Sequence, residues 1–132
     1  MNDATVIRIV REAIPDVIAI YRFGSTVSGQ THAESDVDLA FLAPRALAPV
    51  PRFELQERLA VALGRDVDLL DLRAASTVMR MQVIAHGRAL FVADVREAER
   101  FADYAFSAYA RLNEERREIL DQVRREGTVY GR

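Results

Sequence analysis

The sequence contains no cysteine and no lysine. Without cysteine there can be no disulfide framework, no thiolate metal site and no cysteine nucleophile. Because all 18 basic residues are arginine, the chain also lacks the P-loop lysine of Walker ATPases and the amine needed for Schiff-base chemistry. These absences exclude thiol enzymes, Walker-type ATPases and lysine-dependent covalent catalysis.

The low net charge and the absence of long apolar runs narrow the class of partner. A formal net charge of −2 gives no global attraction to a polyphosphate backbone, so direct nucleic-acid binding is disfavoured. No stretch approaches the ~20 apolar residues of a membrane span, and residues 1–14 lack the apolar run of a signal peptide. At 132 residues we expect one domain, over residues 1–132, in the cytoplasm, with a protein or a small molecule as partner.

Hydrophobic periodicity predicts alternating helices and strands. Helices are expected at 3–14, from about 51 to 63, at 75–86 and, as one long C-terminal helix, from about 94 to 126. Strands are expected at 17–23, 36–42, 67–72 and 89–92. This order predicts an α/β (α+β) fold with a small mixed sheet and flanking helices. The apolar stripe of the long helix could cover its own sheet or a partner, and periodicity does not choose between them.

Two short motifs stand at the ends of the first two predicted strands. Gly24-Ser25 ends the first strand, and Asp36-x-Asp38 begins the second. Side chains two apart on a strand point to the same side, so Asp36 and Asp38 can share one or two divalent cations. Two carboxylates about 4 Å apart repel by roughly 4 kcal/mol at an effective dielectric of 20, which favours a bound Mg²⁺. Gly24 permits close backbone approach, and Ser25 with the following N–H groups can hold a phosphate.

A third carboxylate is expected from the third strand. Asp68 is the first choice because it lies inside the strand and shares a face with Leu70 and Leu72. Asp66, at the strand entrance, is the substitute, and Asp71 has the opposite parity. Either motif alone would more commonly be an ordinary turn. The two together, with an acidic third strand, favour an enzyme site.

The combined pattern resembles the signature of the minimal nucleotidyltransferases of the polymerase-β-like superfamily. The resemblance rests on Phe23-Gly24-Ser25-x10-Asp36-Val37-Asp38-Leu39. Residues 67–72 look like that family's third-carboxylate strand. Residues from about 76 to 91, together with the closing Tyr130-Gly131-Arg132, are similar to the MntA-type antitoxins of HEPN/MNT toxin–antitoxin pairs. The resemblance covers nearly the whole chain, although only the first motif is highly specific.

This resemblance implies a function and a role for each site residue. It implies an antitoxin that transfers AMP from ATP to a tyrosine of a cognate HEPN-type ribonuclease, the HepT-like toxin, within a hetero-oligomer. Asp36 and Asp38 would bind Mg²⁺, and Asp68 would complete the metal site and help to deprotonate the tyrosine. Gly24 and Ser25 would hold the triphosphate.

One departure and two alternatives accompany the resemblance. Many relatives carry a basic residue directly after the serine, where this chain has Thr26; a phosphate contact is therefore missing or supplied by Arg22 or Arg65. The first alternative is an antitoxin that acts by binding alone, with a vestigial site. The second is a nucleotidyltransferase for a small molecule, which the absence of a second, substrate-holding domain disfavours.

Overall fold

The chain folds as a four-stranded sheet flanked by helices. The computed structural model describes residues 2–24 and 36–126. Its elements, in chain order, are α1 (Asp3–Ala13), β1 (Ala19–Phe23), β2 (Val37–Leu42), α2 (Pro49–Leu63), β3 (Val67–Asp71), α3 (Thr77–His86), β4 (Arg88–Val92) and α4 (Val95–Glu126).

The sheet is mixed, with the strand order β3-β2-β1-β4. β1 is antiparallel to both of its neighbours, and β2 is parallel to β3. The parallel pair requires a crossover, and α2 supplies it between the end of β2 and the start of β3. The α/β fold predicted from the sequence, with its small mixed sheet and long C-terminal helix, is confirmed.

Alternation along the strands divides the core into two layers. One layer joins α1 and α2 to Ile20, Leu39 and Leu69 of the sheet. The other joins the opposite face of the sheet, through residues such as Ala40, to Val83 of α3 and Phe101 of α4. Because Asp38 and Asp68 are two residues from Ala40 and Leu70, they lie on this second face.

The ends of the elements follow local chemistry. Asn2 caps α1 by accepting from the Thr5 N–H at 3.2 Å. Gly64 ends α2 with φ of 65°, as expected of a glycine cap. β1 begins at Ala19, so the strand predicted at 17–23 was too long by its first two residues. Ile18 still contacts the neighbouring strand, because its N–H donates to the Leu42 carbonyl at 2.7 Å.

α4 is much longer than the helix against which it packs. It has 32 residues, whereas α3 has 10. Only Phe101 and Ala105 of α4 are buried, and both lie in its first half. None of the helices in the described ranges is both long and apolar enough to cross a membrane.

Candidate active site

The pairing of three strands brings the predicted carboxylates to one end of the sheet. Asp38 is opposite Phe23, the last residue of β1, and its neighbour on the other side is Asp68. Neighbouring strands are about 4.8 Å apart. Asp38 and Asp68 are therefore adjacent on one face, and Asp36 directly precedes β2 with the same parity.

Gly24 closes this arrangement at the end of β1. Its φ is 78°, and a Cβ built on it would be 2.2 Å from Asp38 Oδ2. A side chain at this position would therefore overlap the Asp38 carboxylate. The sequence predicted that Gly24 permits a close approach to the backbone. In the structure the group that lies close to its Cα is the carboxylate of Asp38, a candidate metal ligand.

The electrostatics of Asp38 reflect its neighbours. Burial raises the pKa of the Asp38 carboxyl above its usual value, and the negative charges of Asp68 and Asp36 raise it further. The three carboxyl groups thus interact electrostatically. This cluster of like charges is destabilising until a cation or a proton compensates it.

The donor set fits a magnesium ion, although the side chains are spread apart. Oxygen ligands from carboxylates are those that Mg²⁺ prefers. Within residues 2–24 and 36–126, no three His, Cys, Asp or Glu side chains are gathered closely enough to hold a metal ion. Because the strand register already places Asp38 beside Asp68, rotation of side chains is the movement that would bring their oxygens onto a common ion.

The two acidic residues of β3, Asp68 and Asp71, differ in exposure and in hydrogen bonding. Asp68 is exposed, whereas Asp71 is only 3% exposed. The Asp71 carboxylate accepts hydrogen bonds from the Leu47 N–H at 2.7 Å and from the Arg73 N–H at 2.9 Å. Asp71 therefore fixes the chain on both sides of β3, on the opposite face from Asp38. Asp66 remains the substitute ligand, and its carbonyl accepts from the Val37 N–H at 2.9 Å.

Arg22, suggested as a phosphate contact, is engaged elsewhere. Its guanidinium pairs with Asp3 of α1 at 3.2 Å, and Asp3 also pairs with Arg88 at 3.0 Å. Arg22 has the opposite parity to Phe23, so it points away from the carboxylate face. Arg65, in the turn before β3, is at the carboxylate end of the sheet and stays a candidate.

Ser25, predicted to hold a phosphate, and the neighbouring Thr26 are outside the described part of the chain. Ser25 therefore remains a prediction, supported by its position directly after Gly24. The ion pairs of Asp3 were not predicted, since 19 and 85 residues separate it from its partners Arg22 and Arg88. No local pattern could have revealed them.

Comparison with known proteins identifies the family. The family model described as "Polymerase beta, Nucleotidyltransferase" matches residues 5–96. This range includes both acidic strands and Gly24. The chain belongs to the polymerase β nucleotidyltransferase family. The predicted resemblance is confirmed at this level.

This nucleotidyltransferase is also similar to a protein adenylyltransferase and to solved toxin–antitoxin structures. It is 42% identical, over 93% of its length and 88% of the relative's, to the protein adenylyltransferase MntA of Shewanella oneidensis. A toxin–antitoxin structure with AMP-PNP matches at a TM-score of 0.85 and 42% identity, covering 93% of this chain and 98% of that one. A structure of the tri-AMPylated Shewanella oneidensis HEPN toxin in complex with MNT antitoxin matches at a TM-score of 0.77 and 40% identity. The match covers 92% of this chain and 94% of that one.

The two acidic positions of β3 give opposite predictions for this nucleotidyltransferase. Asp71→Ala should destabilise the fold by about 2–3 kcal/mol, because two part-buried N–H groups, of Leu47 and Arg73, lose a charged acceptor. Asp68→Asn should change stability by less than about 0.5 kcal/mol, because its side chain is exposed, yet it should reduce nucleotidyl transfer at least about 100-fold. Urea denaturation and single-turnover rates measure the two effects. Equal losses of stability in both variants would contradict this division of roles.

Proposed function

We propose that this chain is the antitoxin of a toxin–antitoxin pair and transfers AMP from ATP to a tyrosine of a HEPN-type ribonuclease. The observation that carries the proposal is the strand register that places Asp38 between Gly24 and Asp68. The 42% identity to an adenylyltransferase over almost the whole chain supports the same activity. The likeness to complexes with an AMPylated toxin and with AMP-PNP supports the acceptor and ATP as the donor.

Each site residue has a distinct task in this proposal. Asp36, Asp38 and Asp68 would hold Mg²⁺, as two ions, and the metal would supply charge neutralisation at the phosphates. Gly24 leaves space at the end of β1 for the Asp38 carboxylate beside the triphosphate, and Ser25 binds one of the phosphate oxygens. Asp68, the most exposed of the strand carboxylates, receives the proton of the attacking tyrosine.

The reaction is an in-line displacement at the α-phosphorus of ATP. The tyrosine oxygen forms the new P–O bond while the bond to the bridging oxygen breaks, and pyrophosphate leaves with the electron pair of that bond. The phenolic proton passes to a carboxylate and then to solvent. The protein contributes mainly position and electrostatics, which a small domain with fixed strand register can supply.

The product explains how the toxin would be silenced. An adenylyl group adds a negative charge and a bulky nucleoside to the acceptor tyrosine. Close to a ribonuclease site this group repels the phosphates of RNA and obstructs access to the site. ATP and the toxin meet in the cytoplasm, which is where we place this reaction.

Intact-mass spectrometry of the cognate HEPN protein tests the proposal. After incubation with this chain, ATP and Mg²⁺, the HEPN protein should gain mass in steps of one adenylyl group. The Asp36→Asn/Asp38→Asn variant should give no gain, and EDTA should prevent the gain by the wild type. Asp16→Asn is a suitable control, because Asp16 is an exposed acidic residue in the turn after α1.

The alternative, neutralisation by binding alone, predicts a different result. A stable complex and an inhibited ribonuclease, without any gain of mass, would contradict the enzymatic proposal. A neighbouring gene for an all-helical protein with an R-x4-6-H motif is expected in either case. Transfer of AMP to a small molecule in place of the HEPN protein would support the second alternative.

A further inference from the structure

A cavity of about 440 Å³ lies at the end of the sheet opposite the three carboxylates. Its lining comes from the turn after β3, from α3 and from the first half of α4, and consists of Arg73, Arg80, Glu97, Arg100, Phe101 and Tyr104. Arg80 contacts the carbonyl of Leu72, which is four residues, or about 13 Å of extended strand, beyond Asp68. This cavity, which we call the arginine cavity, is therefore distinct from the candidate active site.

Two guanidinium groups of the arginine cavity are held in fixed orientations. Arg73 donates from Nε to the Ala43 carbonyl at 2.8 Å. Arg80 donates from Nε to the Leu72 carbonyl at 2.8 Å and from Nη2 to the Arg73 carbonyl at 2.9 Å. Both groups also lie against the ring of Phe101, with their Cζ atoms 5.2 and 5.4 Å from its centre. The two cations are thus close neighbours, and little side-chain entropy remains to be lost when they bind an anion.

The charge of these two arginines is not compensated within the described part of the chain. Neither Arg73 nor Arg80 has a carboxylate within 4.0 Å there, since the ion pairs of residues 2–24 and 36–126 involve other arginines. Glu97, the carboxylate of the lining, pairs with Arg100 at 3.2 Å. The lining is therefore strongly positive in a chain whose formal net charge is −2. Such a local excess of one charge sign in a concave site attracts an anion.

The aromatic part of the lining narrows the class of anion. Tyr104 is 58% exposed, and its ring centre is 5.7 Å from Cζ of Arg80. An exposed ring beside a phosphate-binding group offers a surface on which a base can stack. A volume of about 440 Å³ lies in the range of small-molecule sites and exceeds what one protein carboxylate fills. The net charge of the chain disfavours a longer polyphosphate such as RNA.

We infer that the arginine cavity binds a nucleoside phosphate, with the phosphate at Arg73 and Arg80 and the base on Tyr104. The site is separate from the one that we propose for ATP, so the inference does not depend on the transfer of AMP. Arg73 follows β3, Arg80 belongs to α3 and Tyr104 belongs to α4. A nucleotide that contacts all three would therefore join α4 to the end of the sheet that is remote from the carboxylates.

The test uses AMP as the probe and removes the candidate active site from the measurement. AMP is titrated by calorimetry into the Asp36→Asn/Asp38→Asn chain in EDTA, so that neither the metal nor its ligands contribute. Inorganic phosphate and pyrophosphate are titrated in the same way. We expect AMP to bind more tightly than phosphate, because only AMP carries a base.

Three further substitutions in that background locate the bound AMP. Arg73→Gln/Arg80→Gln should weaken AMP binding at least about 10-fold, because charge-assisted hydrogen bonds to the phosphate are lost. Tyr104→Ala should also weaken AMP binding at least about 10-fold through the loss of stacking, and leave phosphate binding unchanged. Arg96→Gln is the matched control within about threefold, since Arg96 is exposed on α4 and points about 140° away from Phe101.

Circular dichroism and thermal unfolding check the fold of each variant. The double arginine variant loses contacts to main-chain carbonyls, so Tyr104→Ala, at a largely exposed residue, decides the question if that variant unfolds. The inference would be overturned if AMP did not bind, or if Tyr104→Ala bound AMP within threefold of its parent. Equal affinities for AMP and phosphate would show a site for bare phosphate. Weaker binding of the cognate HEPN protein by Tyr104→Ala, without AMP binding by its parent, would assign the cavity to a protein partner and overturn the inference as well.

Discussion

Gly24→Ala should reduce AMP transfer at least about 100-fold while leaving the chain folded. The new Cβ would be 2.2 Å from Asp38 Oδ2 and 3.1 Å from its Cγ. The obstructing group is the end of a side chain, so it can rotate away, and the backbone need not move. A displacement of a catalytic group by about 1 Å is enough to reduce a rate on the order of 100-fold.

The effect on stability should be small by comparison. Alanine in the left-handed region costs roughly 1–2 kcal/mol relative to the ordinary helical region. Gly64 provides a matched control, since its φ is also positive, at 65°, and no atom lies within 4 Å of its built Cβ. Gly64→Ala should therefore lower the melting temperature by a similar amount and leave the rate unchanged.

Single-turnover transfer rates and thermal melts of the two alanine variants decide the matter. Equal rates in Gly24→Ala and Gly64→Ala would show that the close approach of Gly24 to Asp38 has no part in the reaction. A large loss of structure in Gly24→Ala alone would show that the backbone, not the Asp38 side chain, yields to the new atom.

Asp38→Asn should abolish transfer and at the same time stabilise the metal-free protein. Loss of a metal ligand at the reacting phosphate removes several kcal/mol of transition-state stabilisation, a decrease of about 1,000-fold or more. The metal-free Asp38→Asn protein should be more stable because the substitution removes an unfavourable charge. Burial and the charges of Asp68 and Asp36 raise the pKa of Asp38, so its ionised form is unfavourable in the fold. Solvent screening of this partly exposed carboxylate limits the gain to less than about 1 kcal/mol.

The dependence on pH follows from the sign of that shift. A carboxyl group whose pKa is higher in the folded state binds protons more readily there than in the unfolded chain. Metal-free wild type should therefore gain stability as the pH falls through the raised pKa towards the unfolded value. The advantage of Asp38→Asn should shrink over the same range.

Thermal melts in EDTA at neutral and acidic pH measure this difference. Mg²⁺ with a non-hydrolysable ATP analogue should reverse the order at neutral pH, because ligands stabilise only the variant that binds them. A lower melting temperature for Asp38→Asn in EDTA at neutral pH would contradict the repulsion that we assign to the three carboxylates.

The sequence allowed much of the site to be predicted because strand alternation is a local property. The parity that puts Asp36 and Asp38 on one side of the second strand, and Asp68 and Asp71 on opposite faces of the third, needed only the two-residue period of a strand. The register that makes Asp38 and Asp68 direct neighbours depends on the crossover through α2. That register was not readable from either strand alone.

Interactions between distant segments account for the rest. The ion pairs of Asp3 with Arg22 and Arg88 join α1 to two strands. The sequence had suggested Arg22 as a phosphate contact, but in the structure its guanidinium pairs with Asp3. The stripe of α4 was predicted from its period, but periodicity is the same at buried Phe101 and exposed Ile119. Only the length of the neighbouring helix distinguishes the two halves.

The edge position of β3 has a consequence for solubility. β3 is the outermost strand beside β2, and its five residues, VDLLD, include Asp68 and Asp71. Unpaired edges of apolar strands recruit further strands, and charged residues and shortness prevent this. Because Asp71 is turned into the fold, Asp68 is the charge that β3 presents outward. The edge is also covered by α2, because the Leu69 N–H donates to Gln56 Oε1 at 2.9 Å and the Arg52 guanidinium donates to the Leu69 carbonyl at 3.1 Å. An apolar residue at position 68 would therefore remove a candidate ligand and leave α2 alone to keep this edge from pairing with another chain.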